Sequence, residues 1–441
     1  LLVEVGNLVE KPTAMRGEFE EKYLDLPKEV LVSVMKKHQR YFPVVKGEKL
    51  LPYFITVRNG GEHGREVVVD GNEQVIRARF ADAAYFVRRD QKQNLEDFVP
   101  ALEKLTFQAE LGSMLDKTSR IQHLVVDLTD VLGLDRAQTE VTRRAAYLCK
   151  ADLATEMVVE MTSLQGVMGR EYALHSGEDS AVAHTLFEYY LPRSAGDAVP
   201  KDMPAVVLGL ADRLDTLLGL FSVGLQPTGT RDPYALRRTA IGLVQMLTTC
   251  EVEADLRDML ELTGCQLPGT LPEDVIDEVL AFITARQQSL LLAEGYSHDV
   301  VDAVLAEQGA NPFRAAKSVA ELAQAAAGKD WPLILQAYSR CARITRDLDE
   351  KLELKQELLQ DQAEKDLAAA VKKVLGSWSD EKSVGDLVFV LQQLEPAITR
   401  FFDEVLVMAE DEQVRQNRLA LLQLVVLLAD GKVDLSRMEG F

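Results

Sequence analysis

Ala145-Ala146-Tyr147-Leu148-Cys149-Lys150-Ala151-Asp152 decides how the middle of this chain is read. Its small and apolar positions predict a buried helix, with Cys149 and Lys150 side by side at the centre. Upstream, Arg120-Ile121-Gln122-His123 lies on an amphipathic helical stretch. Downstream, Leu210-Ala211-Asp212-Arg213-Leu214-Asp215 lies on another. His and Asp are among the residue types a divalent ion takes as ligands. A site for such an ion needs several nitrogen and oxygen ligands converging on it. A thiol and an ammonium at its centre leave the ion poorly held. A helical scaffold without that chemistry points to a recognition protein.

The rhythm of this stretch resembles the helix on which HD-type metal phosphohydrolases carry their adjacent His and Asp. The resemblance implies that His123 takes the first His position, Cys149 and Lys150 the central pair, and Asp212 the last Asp. His123, Asp152 and Asp212 remain as candidate ligands. With only six His in the chain they are read as polar residues of an inherited helical core, and no metal is expected.

At 441 residues the chain is too long for one core, and about three or four domains are expected. The formal charge of −21 makes it a poor generic binder of nucleic acid, which is attracted by clustered Lys and Arg. It leaves room for a local basic face. Cys149, Cys250, Cys265 and Cys341 are scattered, with no C-x-x-C and no His at zinc spacing, and read as free thiols of a reducing, cytoplasmic compartment. No apolar run approaches the about 18 residues of a membrane span, and no signal peptide is read at the start. Leu1 in place of Met, inside a structured-looking segment, reads as the start of a C-terminal fragment.

Four segments are expected. Residues 1–64 mix strand and short helix: Pro27 opens a helix, and strands at 40–45 and 53–57 flank the turn Lys46-Gly47-Glu48-Lys49. Residues 65–245 are helical, beginning with a long helix that includes Val75, Arg79, Asp82 and Phe86. Residues 246–330 are further helices, and residues 331–441 a last helical domain. The fold class is therefore mainly α and multidomain, with a small α/β segment at the N-terminal side.

Three stretches are candidates for nucleic-acid contact. In Gln226-Pro227-Thr228-Gly229-Thr230-Arg231-Asp232-Pro233, Asp232 reads as an N-cap and Pro233 as the first helical residue before Arg237 and Arg238. That turn is either a helix cap or, if Arg231, Arg237 and Arg238 are exposed together, a contact for an RNA backbone. It is not a P-loop, because no G-K-[ST] follows. Lys36-Lys37-His38-Gln39-Arg40-Tyr41-Phe42 runs cations into aromatics, so Lys37 and Arg40 are candidates for phosphate contact, and Tyr41 and Phe42 are equally readable as bases' stacking partners or as core. Near the C-terminus, Phe401, Val405 and Met408 are expected to share a core face, with Arg415 and Arg418 on one exposed side. A surface shared by these two with Arg340, Arg343, Arg346 and Arg400 would make an RNA footprint. No catalytic triad, dinucleotide fingerprint or ATP site is readable.

The blocks His38-Gln39-Arg40-Tyr41-Phe42-Pro43-Val44, Leu51-Pro52-Tyr53-Phe54-Ile55-Thr56-Val57, Lys150-Ala151-Asp152-Leu153, Gln165-Gly166-Val167-Met168-Gly169, Tyr190-Leu191-Pro192-Arg193 and Asp232-Pro233-Tyr234-Ala235-Leu236-Arg237-Arg238 occur in that order. Together they resemble the β subunit of bacterial-type glycyl-tRNA synthetase. Phe401-Phe402-Asp403 through Arg418-Leu419-Ala420-Leu421-Leu422 is similar to the DALR anticodon-binding helices shared with arginyl-tRNA synthetase. The resemblance implies the end of a B3/4-like domain at 1–64, an HD-like helical domain without metal ligands at 65–245, a helical linker at 246–330 and a DALR-type anticodon-binding bundle at 331–441. It implies a tRNA-recognition subunit of glycine–tRNA ligase, non-catalytic by itself, in a heterotetramer. The partners implied are the α subunit and tRNA(Gly), with no membrane and no DNA. No cofactor is expected in this chain, and ATP with Mg is expected on the α subunit. An HD-type metal phosphohydrolase and a structural adaptor of the α subunit without RNA contact are the alternatives.

Overall fold

Gly47, at φ +61°, heads a two-residue loop whose flanking strands pair, Val45 opposite Leu50 and Lys46 opposite Lys49. The computed structural model describes residues 1–441 apart from 195, 349 and 380. Strands β1 (Pro12–Glu18), β2 (Phe42–Lys46) and β3 (Lys49–Asn59) form an antiparallel sheet in the order β1-β3-β2. The two expected strands are β2 and β3. The strand β1 lies in the segment expected to mix strand and short helix, but it is not one of the two strands expected there. At a sheet edge Pro12 is tolerated as the first strand residue, and Gly17 is required by the Phe54 ring, which fills the space a side chain would take. Tyr41 stacks on Phe54 with centroids 4.7 Å apart and donates to Asn72 Oδ1 at 2.5 Å, so Tyr41 is a core residue.

Helices α1 (Leu2–Asn7) and α2 (Lys28–Ser33) accompany the sheet, and a π-helical turn (Val34–His38) leads into β2. The long helix α3 (Arg65–Asp90) buries Ile76, Phe80, Ala83, Ala84 and Val87, one face at helical spacing. Of the residues expected on it, Val75 is exposed and Phe86 half-buried. A 3-10 helix (Leu95–Lys104) and the small hairpin β4 (Thr106–Gln108) and β5 (Gly112–Ser113) precede a helical bundle. The bundle consists of α4 (Met114–Val131), α5 (Arg136–Leu148), α6 (Glu156–Glu160), α7 (Val167–His175), α8 (Ser180–Glu188) and α9 (Met203–Ser222). Capping boxes start α4 at Ser113/Asp116 and α5 at Asp135/Gln138.

The stretch 145–152 is not one buried helix. α5 ends at Leu148, Cys149 is extended at ψ 106°, and Lys150 sits at φ +104°. The burial was legible; the break was not, because no Gly or Pro marks it. These elements, residues 1–219 with 262–271, form one compact unit.

The second unit comprises residues 220–261 and 272–441. It contains α10 (Leu236–Thr249), α11 (Leu256–Gly264) up to Glu261, α12 (Val275–Ala293), α13 (His298–Gln308), α14 (Pro312–Ala326), α15 (Trp331–Thr345), α16 (Gln362–Leu375), α17 (Val384–Glu404) and α18 (Glu412–Val426). α15 packs on α17 and α18, and α16 on α17. Their shared core includes Leu335, Cys341, Leu367, Leu391, Phe401, Leu422 and Val425. α10 begins at Leu236, later than expected. Asp232 still caps it, with Oδ1 and Oδ2 accepting the N–H groups of Leu236 and Arg237, while Pro233 and Tyr234 form the preceding turn. Phe401 and Val405 are buried, but α17 ends at Glu404 and Met408 is 58% exposed in the loop beyond.

Candidate functional site

Three of the ordered sequence blocks, at 150–153, 165–169 and 190–193, meet in the first unit. Asp152, just after the Lys150 turn, accepts the N–H of Gly166 at 2.5 Å and closes the N-terminus of α7. Arg193 Nη2 donates to the Gln165 carbonyl at 2.8 Å. From α9, Arg213 sends its guanidinium to the carbonyls of Tyr189, Tyr190 and Leu191 at 2.7–3.2 Å, fixing the chain after α8. Buried carbonyls need donors, and one buried cation supplies them here.

Asp212 and Asp215 project from α9 into this region, one turn apart. Lys150 Nζ donates to Asp212 Oδ2 at 2.7 Å and lies over the rings of Tyr189 and Tyr190 at 5.0 and 4.8 Å. From α4, Lys117 Nζ donates to Asp215 Oδ2 at 2.7 Å and Thr216 Oγ1 at 2.8 Å, and stands 3.2 Å from Asp212 Oδ1. Arg120 Nε donates to Asp215 Oδ1 at 2.5 Å. Burial pushes the Asp212 carboxyl up, but the Lys150 and Lys117 ammoniums outweigh it and hold it well below the usual carboxylate range. Burial likewise works against the Lys117 ammonium, and Asp215 with Asp212 reverses the balance, so Lys117 is shifted up. Asp152 is shifted up because burial dominates its hydrogen bonds. Burial pushes the Cys149 thiol up to about 12, which leaves it inert as a nucleophile.

Of the residues expected at a degenerate metal site, Cys149, Lys150 and Asp212 come together. His123 does not: it is exposed on α4. The α4 residues that reach the site are Lys117 and Arg120, which the sequence reading missed. The signal was there, since Lys117, Arg120, Ile121, Leu124 and Leu128 follow one helical face and His123 falls off it. The donor set does not fit a divalent ion. The Asp212 oxygens face Lys150 and Lys117, the Asp215 oxygens face Lys117 and Arg120, and Asp152 is turned to Gly166. Among the described residues no three His, Cys, Asp or Glu side chains converge as a metal site.

The surface cations are distributed differently from the expected footprint. In the second unit Arg418 is not on an exposed side: its side chain is 7% exposed and is bound to Glu364 and Asp361, with Nη1 donating to the Leu406 carbonyl at 2.8 Å. Arg415 is half-buried beside Glu412. Arg400 pairs with Asp366 and Glu404, at 2.8 and 2.9 Å. Arg340 lies over the Phe402 ring at 4.3 Å and near Asp403. Arg343 lies over Phe441 and donates to its carbonyl, and Arg346 is exposed. Arg231 and Arg238 are exposed, whereas Arg237 Nη2 donates to the Gly229 carbonyl at 2.6 Å and tightens the turn. In the first unit Lys37 is exposed, and Arg40, at φ +54°, pairs with Glu4 at 2.7 Å.

A family model described as glycyl-tRNA synthetase beta subunit matches residues 1–306. The chain belongs to that family. A second model, the DALR anticodon binding domain, matches residues 334–431, the α15–α18 region of this beta-subunit chain. Among curated proteins the chain is 41% identical over 430 residues to the glycine–tRNA ligase beta subunit of Clostridioides difficile, covering 96% of the chain and 62% of that protein. It is 42% identical over 454 residues to the beta subunit of Moorella thermoacetica, covering 99% of the chain and 65% of that protein. It is 39% identical over 444 residues to the chloroplastic/mitochondrial glycine–tRNA ligase 2 of Arabidopsis thaliana, covering all of the chain and 42% of that protein. The chain thus spans less than two thirds of the length of these relatives.

Proposed function

We propose that this chain is the tRNA-recognition part of a glycine–tRNA ligase, binding tRNA(Gly) and orienting it, anticodon included, for ATP-dependent glycylation by an α subunit. The observation that carries the reading is the presence, in one chain, of the beta-subunit family over 1–306 and an anticodon binding domain over 334–431. In this reading the chain supplies binding energy and orientation. ATP and Mg belong to the α subunit, and the assembly works in the cytoplasm. Among the described residues no helix is long and apolar enough to cross a membrane.

The ion pairs in the first unit support the same reading. A metal phosphohydrolase needs carboxylates available to its ion, and Asp212 and Asp215 face ammonium and guanidinium groups. The test is a gel shift of the assembled ligase carrying this chain, with tRNA(Gly) against a non-cognate tRNA across a salt series. Tighter binding of tRNA(Gly), with footprinted nucleotides protected by this chain, is the expected result. Equal binding of both tRNAs, or no protection by this chain, would favour the adaptor reading.

A further inference from the structure

Lys150 occupies a backbone position that favours glycine. Its φ of +104° lies in the region where a side chain strains the chain, yet no glycine stands there. A lysine kept at such a site is held by what its side chain does. Its ammonium reaches Asp212 Oδ2 at 2.7 Å and is covered by two tyrosine ring faces, the surroundings that suit a small ammonium ion. Lys117, 3% exposed, completes the arrangement from α4.

We infer that Asp212 and Asp215 form a cation seat that the chain fills in cis with the ammonium groups of Lys150 and Lys117, so that α4, the turn after α5 and α9 are joined without an external ion. The seat accepts a primary ammonium in preference to a divalent metal. Its ammonium hydrogen bonds to Asp212 and Asp215 are 2.7 Å long, and around them stand the Arg120 guanidinium on Asp215, Thr216 Oγ1 and aromatic faces, where a metal would need further oxygen or nitrogen ligands and no cation beside it. Lys117 Nζ also lies 4.6 Å from the Phe107 ring centroid, so both ammoniums have an aromatic neighbour. This inference is independent of the tRNA reading.

The test trims the cation and offers it back. Lys150→Ala removes the fragment equivalent to propylammonium; Lys150→Gly removes it and also relieves the backbone. Both variants of the full chain are expected to melt below the wild type, the glycine variant included. Propylammonium chloride at about 100 mM should restore roughly half of the loss in Lys150→Ala while leaving the wild type unmoved, by mass action on a vacated site. Equal potassium chloride, or manganese chloride, should not. Rescue by manganese and not by the amine would overturn the inference, as would a Lys150→Gly variant at least as stable as the wild type. Should the single variants fail to fold, Lys150→Met with Asp212→Leu removes both charges together. That pair is expected to fold where the single variants do not, and its failure alongside them would also overturn the seat.

Discussion

Asp152 Oδ2 accepts the backbone N–H of Gly166 at 2.5 Å, so a carboxylate from the turn after α5 serves as the cap of α7. Gly166 is held at φ +76°, and a Cβ there would meet Tyr190 Cδ2 at 2.5 Å. Gly166→Ala combines left-handed strain with overpacking, and is expected to destabilise the first unit by about 2–4 kcal/mol. The urea midpoint measures it. A midpoint equal to wild type would mean that the Tyr190 ring moves freely aside.

Arg418 and Arg415 should behave as different kinds of residue. Arg418 neutralises Glu364, whose side chain is 1% exposed, and removing one partner of a buried pair leaves an uncompensated charge. Arg418→Ala is expected to cost about 3–5 kcal/mol, and Arg415→Ala about 0.5 kcal/mol or less. Arg418→Met combined with Glu364→Leu should recover much of the loss. Denaturant titration of the three variants decides it; equal effects of the two alanine variants would contradict the burial of Arg418.

Helical period and turn chemistry made much of this fold legible. The mainly α character, the Gly47 hairpin and the Pro27 helix start followed from local signals that tertiary structure left alone. What stayed hidden depends on partners distant in sequence. Nothing near Gly17 in the sequence shows that the Phe54 ring fills the space beside it. Arg418 reads as a surface cation until α16 delivers Glu364. Lys117 lies on the apolar face of α4, but only α9 explains why a charge belongs there. His123 failed for the converse reason: its residue type suggested a ligand, while its helical phase pointed it to solvent.

The opposed shifts of Asp212 and Asp152 set a pH dependence. For Asp212, burial raises the carboxyl and Lys150 with Lys117 more than reverse it, so its folded pKa lies below the unfolded value of about 3.9. Its stabilisation is present above that value and is lost as pH falls through the folded one. For Asp152 burial prevails and the folded pKa is raised, so its contribution is present at low pH and lost as pH rises through the folded value. Melting temperatures taken from pH 3 to 7 should therefore fall less steeply on the acid side, below about pH 4, in Asp212→Asn than in wild type. Asp152→Asn should flatten the decline on the other side. Identical profiles for wild type and Asp212→Asn would show that the Lys150 pair is not formed in solution.

On the proposed tRNA reading, the exposed cations can be ranked by what they must give up to meet a phosphate. Arg400 is already paired with Asp366 and Glu404, so a phosphate has to compete with two carboxylates. Arg346 and Arg231 are exposed and make no ion pair with a carboxylate among the described residues. A cation that neutralises one phosphate of a duplex contributes about 0.9 to the slope of log affinity against log salt. Arg346→Ala and Arg231→Ala are each expected to weaken tRNA binding by the assembled ligase and to reduce that slope by about 0.9, without shifting the melting temperature. Arg400→Ala should change the slope less, because a guanidinium already paired with two carboxylates neutralises little phosphate charge. Filter binding across a salt series separates the cases. An unchanged slope in both Arg346→Ala and Arg231→Ala would place the RNA-facing surface elsewhere on the chain.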